Sequence, residues 1–237
     1  MGRRPFPPRV QRLGEYFTLT EPHGAAWRPM AELDDDAVWR GLVAETRRAI
    51  AIYADVEPAA VPARVAASSL HLSTASRLLS PVIGAFAVGA GVPSLTADVL
   101  RWRTAGHAVH FGAAAPQWHD TLDSRAAAEF IDASLVTSVL APIVDRLQAV
   151  TALSTTVMWG NLMSAANGAV TVMGLSDSEL VCTGRTLVRS MLKLPRFEGA
   201  ATVTGSTFRR RSCCLFYLSP GAGLCGDCVL RDPEASH

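Results

Sequence analysis

Lysine is all but missing from this 237-residue chain, where Lys193 is the single example, and only 18% of residues carry charge. The formal net charge is +1, which gives no electrostatic basis for binding nucleic acid or an anionic membrane. Long apolar runs are lacking too. The longest, residues 82–92, has 11 members, well short of the roughly 20 needed to cross a bilayer, so a transmembrane protein is not expected. The N-terminus, Met1-Gly2-Arg3-Arg4-Pro5, has early charge without a following apolar stretch and does not read as a secretory leader. Common catalytic signatures are absent: there is no G-x-S-x-G elbow, no H-E-x-x-H pair and no paired-carboxylate pattern. His71, His107, His110 and His119 show no ligand spacing and read as surface or hydrogen-bonded residues. Residues 221–226 match G-x-G-x-x-G literally, but only 11 residues follow, too few for the strand–helix unit a dinucleotide site needs. Without nucleotide or flavin patterns, any electrons must come from outside the chain.

Cysteine is scarce, with five in all. An odd count does not make a closed disulfide framework, and the expected compartment is the cytoplasm, where clustered thiols favour a metal or redox centre. Four of the five fall within the last 25 residues: Cys213-Cys214, a gap of ten, then Cys225-Gly226-Asp227-Cys228. Four close thiols are the ligand set of one metal centre. A structural zinc site uses such a set, more usually from two C-x-x-C-like knuckles. A 2Fe–2S cluster uses it with two thiolates per iron, here Cys225 with Cys228 and Cys213 with Cys214. Neighbouring side chains on an extended strand point to opposite sides, so the adjacent pair demands an unusual local backbone. Gly221, Gly223 and Gly226 permit tight turns and let amides approach the sulfurs. Arg209, Arg210 and Arg211 precede the first thiol; they read as a solvated basic turn, or as charges that favour a reduced centre or steer an anionic chelate. Cys182 stands alone in a helical stretch and reads as an ordinary buried thiol.

The stretch Arg210-Arg211-Ser212-Cys213-Cys214-Leu215-Phe216-Tyr217, followed by Gly223-Leu224-Cys225-Gly226-Asp227-Cys228, resembles the signature of FhuF-type ferric siderophore reductases. Trp159-Gly160-Asn161 resembles a second, weaker feature of that family, and Arg77-Leu78 with Ser80-Pro81 a third. The resemblance implies a 2Fe–2S cluster on Cys213, Cys214, Cys225 and Cys228 that reduces siderophore-bound iron in the cytoplasm. It also implies a ferric siderophore as substrate and an external donor, such as a ferredoxin or an NAD(P)H-dependent reductase. Candidate contacts to the chelate are Arg209, Arg210, Arg211, Trp159, Asn161 and Arg77.

The rest of the sequence reads as α+β, mainly helical, with a small antiparallel sheet and a C-terminal iron–sulfur segment. A single domain over 1–237 is expected: an irregular arm at 1–29, a body at 30–200 and a cluster-binding segment at 201–237. Asp34, Asp35 and Asp36 suit a helix start, and Val38, Trp39, Leu42 and Val43 recur at helical spacing. A second helix is expected over 63–79. The apolar segment between Pro81 and Pro93 fits either a buried helix or two short strands. Alternation over 99–103 and 108–111 predicts a hairpin. Helices are expected over 125–150, 155–173 and 177–192, the first kinked or broken at Pro142, and 201–208 looks extended. Trp102 and Trp159 read more as core packing than as walls of a cleft. Two other functions fit the same thiols, an iron–sulfur carrier or sensor for protein partners and a zinc-stabilised protein without redox activity. A large pocket beside the cysteines favours the reductase; a flat exposed face favours the carrier.

Overall fold

A computed structural model describes residues 2–231. The N-terminal arm is better ordered than its proline content suggests. It forms a short helix α1 (Pro8–Gln11), a 3-10 turn at Glu15–Phe17 and an edge strand β1 (Arg28–Pro29). Phe6, Val10, Leu13, Phe17 and Leu19 along it are all buried, so apolar burial rather than periodic hydrogen bonding fixes its path. Helix α2 (Asp36–Tyr53) starts where the acidic run predicts, with the Asp35 carboxylate accepting the Ala37 N–H at 2.7 Å. Trp39, Leu42 and Val43 form its inner stripe.

Helix α3 (Ala63–Ala87) lies at the centre of the fold, buried along most of its length. It runs through Pro81, where the sequence suggested a stop, and makes the ambiguous apolar segment helical as far as Ala87, beyond which Val92–Pro93 is a short strand. An interior proline costs about 3 kcal/mol. Beyond it Val82, Ile83 and Phe86 are each no more than 2% exposed, and burying side chains of that size returns about 1.5–3 kcal/mol apiece. Packing therefore outweighs the lost hydrogen bond.

Strands β2 (Val92–Pro93) and β5 (Trp118–His119) pair with each other. The expected hairpin is β3 (Leu100–Ala105) with β4 (Ala108–Ala113), in register from Leu100↔Ala113 to Ala105↔Ala108. β1 adds to its edge, giving a three-stranded antiparallel sheet. Trp102 is fully buried there and donates its indole N–H to the Pro29 carbonyl at 3.1 Å.

The helical run Ser124–Thr151 has the length and composition to cross a bilayer, and 56% of its apolar window is buried inside the protein. It does not break at Pro142. Helix α4 (Ser124–Ile131) widens into a π-helical stretch, Asp132–Leu140, before helix α5 (Ala141–Thr151). The wider turn accommodates the missing proline donor. Ser134 Oγ donates to the Phe130 carbonyl at 2.7 Å and the Ser138 hydroxyl to the Ser134 carbonyl, so side chains supply part of the bonding.

Helix α6 (Thr155–Ser176) packs along α3, and α7 (Leu180–Met191) packs on α6, α4 and α3. On α7 the inner stripe is Leu180, Gly184, Leu187, Val188 and Met191. Cys182 falls off that stripe and is exposed, contrary to the buried thiol the sequence suggested. The 201–208 stretch is not a single extended segment but a hairpin. β6 (Ala201–Thr204) turns at Gly205, with φ of +59°, into β7 (Thr207–Arg210). The result is a mainly helical α+β fold with small antiparallel sheets.

Candidate metal centre

β7 delivers the chain into the cysteine loop. Its last residue, Arg210, donates its backbone N–H to the Asp227 carbonyl at 3.1 Å, and Arg211 donates to the Ala200 carbonyl at 3.0 Å. The second cysteine pair is thus folded back against the strand that leads to the first. Cys214 and Cys228 are buried, while Cys213 and Cys225 are half-buried. Cys214 Sγ and Cys225 Sγ stand 3.4 Å apart, bringing thiols from the two halves of the motif together.

The unusual backbone that adjacent cysteines demand is present. Leu215 adopts a left-handed conformation, φ +67°, unusual for a residue with a branched side chain. Its N–H is thereby directed at Cys213 Sγ at 3.4 Å. The Leu230 N–H meets Cys228 Sγ at the same distance. Both amides donate to a sulfur, the interaction that supports a thiolate bound to metal.

Three hydrogen bonds from two helices hold the loop from behind. Ser212 Oγ donates to the Thr156 carbonyl at 3.1 Å and Ser164 Oγ to the Asp227 carboxylate at 2.7 Å, both on α6. Ser68 of α3 donates to the Cys214 carbonyl at 2.8 Å. Asn161, fully buried, donates Nδ2 to both the carbonyl and the hydroxyl of Ser68 at 3.1 Å. A continuous chain therefore runs from Asn161 through Ser68 to the backbone of Cys214. Gly160 completes the fit: a Cβ there would overlap Ser212 Oγ and lie 3.1 Å from Arg210 Nη2. Gly160 and Asn161 of the Trp159-Gly160-Asn161 motif consequently act on the cysteine loop.

The electrostatics follow from this packing. Cys214 is pulled down to about 6, first by its contact with Cys225 and then against burial; Cys225 moves up in return. Burial pushes the Cys213 thiol up and also raises the Asp227 carboxyl. Arg210 is 1% exposed. Burial works against its charge, while Cys214, Cys225, Asp227 and Cys213 favour it. His71, fully buried, has its pKa pushed down to about 3 by burial and then by Arg210. It is therefore a neutral core residue with no hydrogen-bond partner on either ring nitrogen among the described residues, not the surface or bonded histidine expected.

A cleft of about 920 Å³ opens beside this loop, near the top of the range of about 300–1,000 Å³ for small-molecule sites. One wall is the segment joining the two cysteine pairs, with Phe216 and residues 219–223; the facing walls come from α2, α3 and the β3–β4 turn. Tyr16, Tyr53, Arg77 and His107 supply aromatic and polar groups. Arg77 stacks over Tyr16 at 4.7 Å and reaches the Glu15 carboxylate at 3.3 Å. Of the six candidate chelate contacts, Arg77 alone lines the cleft. Trp159 packs edge-on against Phe197, with Arg196 stacked over it. Arg210 and Asn161 are buried; Arg211 is exposed, and Arg209 is tied to the Arg231 carbonyl at 3.0 Å. The functional spacing of the chain carries no mark of Ser68, Ser164 or Leu215; the adjacent cysteines foreshadowed only an unusual local backbone.

A family model described as the FhuF 2Fe-2S C-terminal domain matches residues 210–230. The match agrees with the resemblance carried by the cysteine motif and indicates a 2Fe–2S cluster as the cofactor. No curated protein matches the chain. Among the described residues, no three His, Cys, Asp or Glu side chains stand as the closed ligand set of one ion, so the structural case rests on the donor set and its surroundings. These fit the cluster: four thiols on one loop, two amides directed at sulfurs, and a buried guanidinium beside them. The segment that matches the family model thus brings thiols from both halves of the motif together beside a helical body that supplies a cleft.

Proposed function

We propose that the protein is a ferric siderophore reductase whose Cys213, Cys214, Cys225 and Cys228 hold the 2Fe–2S cluster, working as a single unit in the cytoplasm. The observation that carries this reading is the position of the cleft: the loop between the cysteine pairs is one of its walls. A protein that only exchanges electrons with other proteins needs no such cavity. When bound, the cluster supplies one electron at a time. The chain's own residues do the rest. Tyr16, Tyr53 and Phe216 offer aromatic surface to an organic chelate, and Arg77 offers a fixed guanidinium whose orientation Glu15 and Tyr16 hold.

The chemistry of release needs no acid–base residue. Iron(III) is held by hard oxygen donors; taking up one electron gives iron(II), for which such donors are weak ligands and nitrogen or softer donors compete well. The electron enters from an external ferredoxin or reductase. Purified anaerobically, the protein should contain iron and inorganic sulfide in equal amounts and absorb in the visible. After reduction it should reoxidise on addition of a ferric siderophore, with a ferrous chelator reporting the product. Ser at any of the four cysteines should remove the colour, and Cys182→Ser should leave it. Full colour without reoxidation by hydroxamate, catecholate or mixed chelates would leave the carrier reading standing instead.

A further inference from the structure

The three consecutive arginines before the cysteines are not equivalent. Arg211 is exposed and Arg209 half-buried, whereas Arg210 is 1% exposed and closes β7 against the backbone of Asp227, between Cys225 and Cys228. Its Nη2 donates to the Val157 carbonyl at 3.2 Å. Nε and Nη1 have no hydrogen-bond partner among the described residues. The nearest acid, Asp227, favours its charge but is hydrogen-bonded to Ser164 rather than to the guanidinium, and Gly160 leaves room for Nη2 close against α6. A buried cation lacking a partner is strongly unfavourable. The group missing from this arrangement is an anion to accept from Nε and Nη1.

We propose that Arg210 is the fixed counter-ion of the cysteine centre, its two free guanidinium positions reserved for the negative charge that the four thiolates and their cluster carry. Resting on the proposed cluster, this gives Arg210 a positioning and charge-setting role, not a contact with the chelate. Reduction adds one more negative charge, so a nearby fixed cation stabilises the reduced state more than the oxidised one.

The test is an anaerobic redox titration of wild type, Arg210→Gln, Arg210→Lys and Arg209→Gln, followed by visible absorbance and paramagnetic resonance. At a fixed ambient potential, Arg210→Gln should lower the reduced-to-oxidised ratio at least tenfold, a shift of about 59 mV to more negative potential for one electron. Arg210→Lys should recover most of that shift. Arg209→Gln, half-buried and tied to the Arg231 carbonyl, should change the ratio less than threefold. A wild-type protein without iron and sulfide sinks the proposed function. A wild-type cluster whose potential is unmoved by Arg210→Gln sinks this inference alone. Where Arg210→Gln retains no cluster, urea unfolding decides. With all four cysteines changed to Ser, adding Arg210→Gln should leave the urea midpoint unchanged or raise it, because the buried charge has lost its counterpart; a lowered midpoint there overturns the proposal.

Discussion

The chain Asn161–Ser68–Cys214 can be tested by a double-mutant cycle. Ser68→Ala removes the hydroxyl that holds the Cys214 carbonyl at 2.8 Å and leaves that carbonyl short of a donor, at a cost of about 1–3 kcal/mol. Asn161→Ala removes two bonds of 3.1 Å to Ser68 and opens a small void, for about 2–3 kcal/mol. The two changes share one bond, Nδ2 to Oγ. The double variant should therefore lose less than the sum, by about 0.5–1.5 kcal/mol. Urea unfolding of the metal-free protein under reducing conditions gives all four stabilities. Ser68→Ala should also retain less iron after reconstitution than Asn161→Ala, since Ser68 touches the cysteine backbone directly. Additivity within about 0.3 kcal/mol would refute the relay and leave two unconnected packing residues.

Other expectations follow from single positions. His71 has a folded pKa of about 3 against an ordinary value of 6.5, so below pH 6.5 the unfolded chain binds a proton that the folded chain refuses. Stability should fall as pH drops from 6.5 towards 3, by about 1.4 kcal/mol per unit from this residue; His71→Leu should flatten the slope in denaturant titrations at pH 6, 5 and 4, and an unchanged slope would contradict the burial argument. Gly168 of α6 has nothing within 4 Å of an added Cβ, so Gly168→Ala should stabilise by about 0.5–1 kcal/mol, as thermal unfolding will show. Gly160→Ala, on the same helix, should do the opposite and reduce iron retention, because its Cβ would displace Ser212 and Arg210. Ala49→Trp, on the α2 wall of the cleft, should slow chelate-dependent reoxidation at least tenfold while leaving the visible spectrum unchanged; stopped-flow absorbance separates the two.

Local signals were legible in the sequence and long-range ones were not. The β3–β4 hairpin and the acidic start of α2 each depend on residues within a few positions of one another, and each is where the pattern puts it. Neither proline broke its helical run, Pro81 for a tertiary reason and Pro142 for a local one. Pro81 is carried by the buried residues beyond it, and Pro142 by a π-helical stretch whose serines recapture carbonyls. Cys182 was misread because a lone thiol in a helical stretch is commonly buried, whereas the helical phase of α7 turns it outward. The support of the cysteine loop was the hardest part to foresee. Ser68 and Asn161 are separated by 93 positions from each other, and Ser68 by 146 from Cys214; nothing local marks a serine as the residue that fixes a distant backbone.

The ten-residue gap between the cysteine pairs has a structural use that ligand spacing alone does not require. The gap forms the 3-10 turn Phe216–Leu218 and the run of small residues that walls the cleft. Ligand loop and cleft wall are one segment, so any molecule seated against Phe216 and residues 219–223 lies a few residues along the chain from thiols at both ends. Buried support from α3 and α6 holds the same segment from behind through Ser68, Ser164 and Ser212. The large helical body thus has two tasks in one place: it fixes the sulfurs from within and shapes the space in front of them.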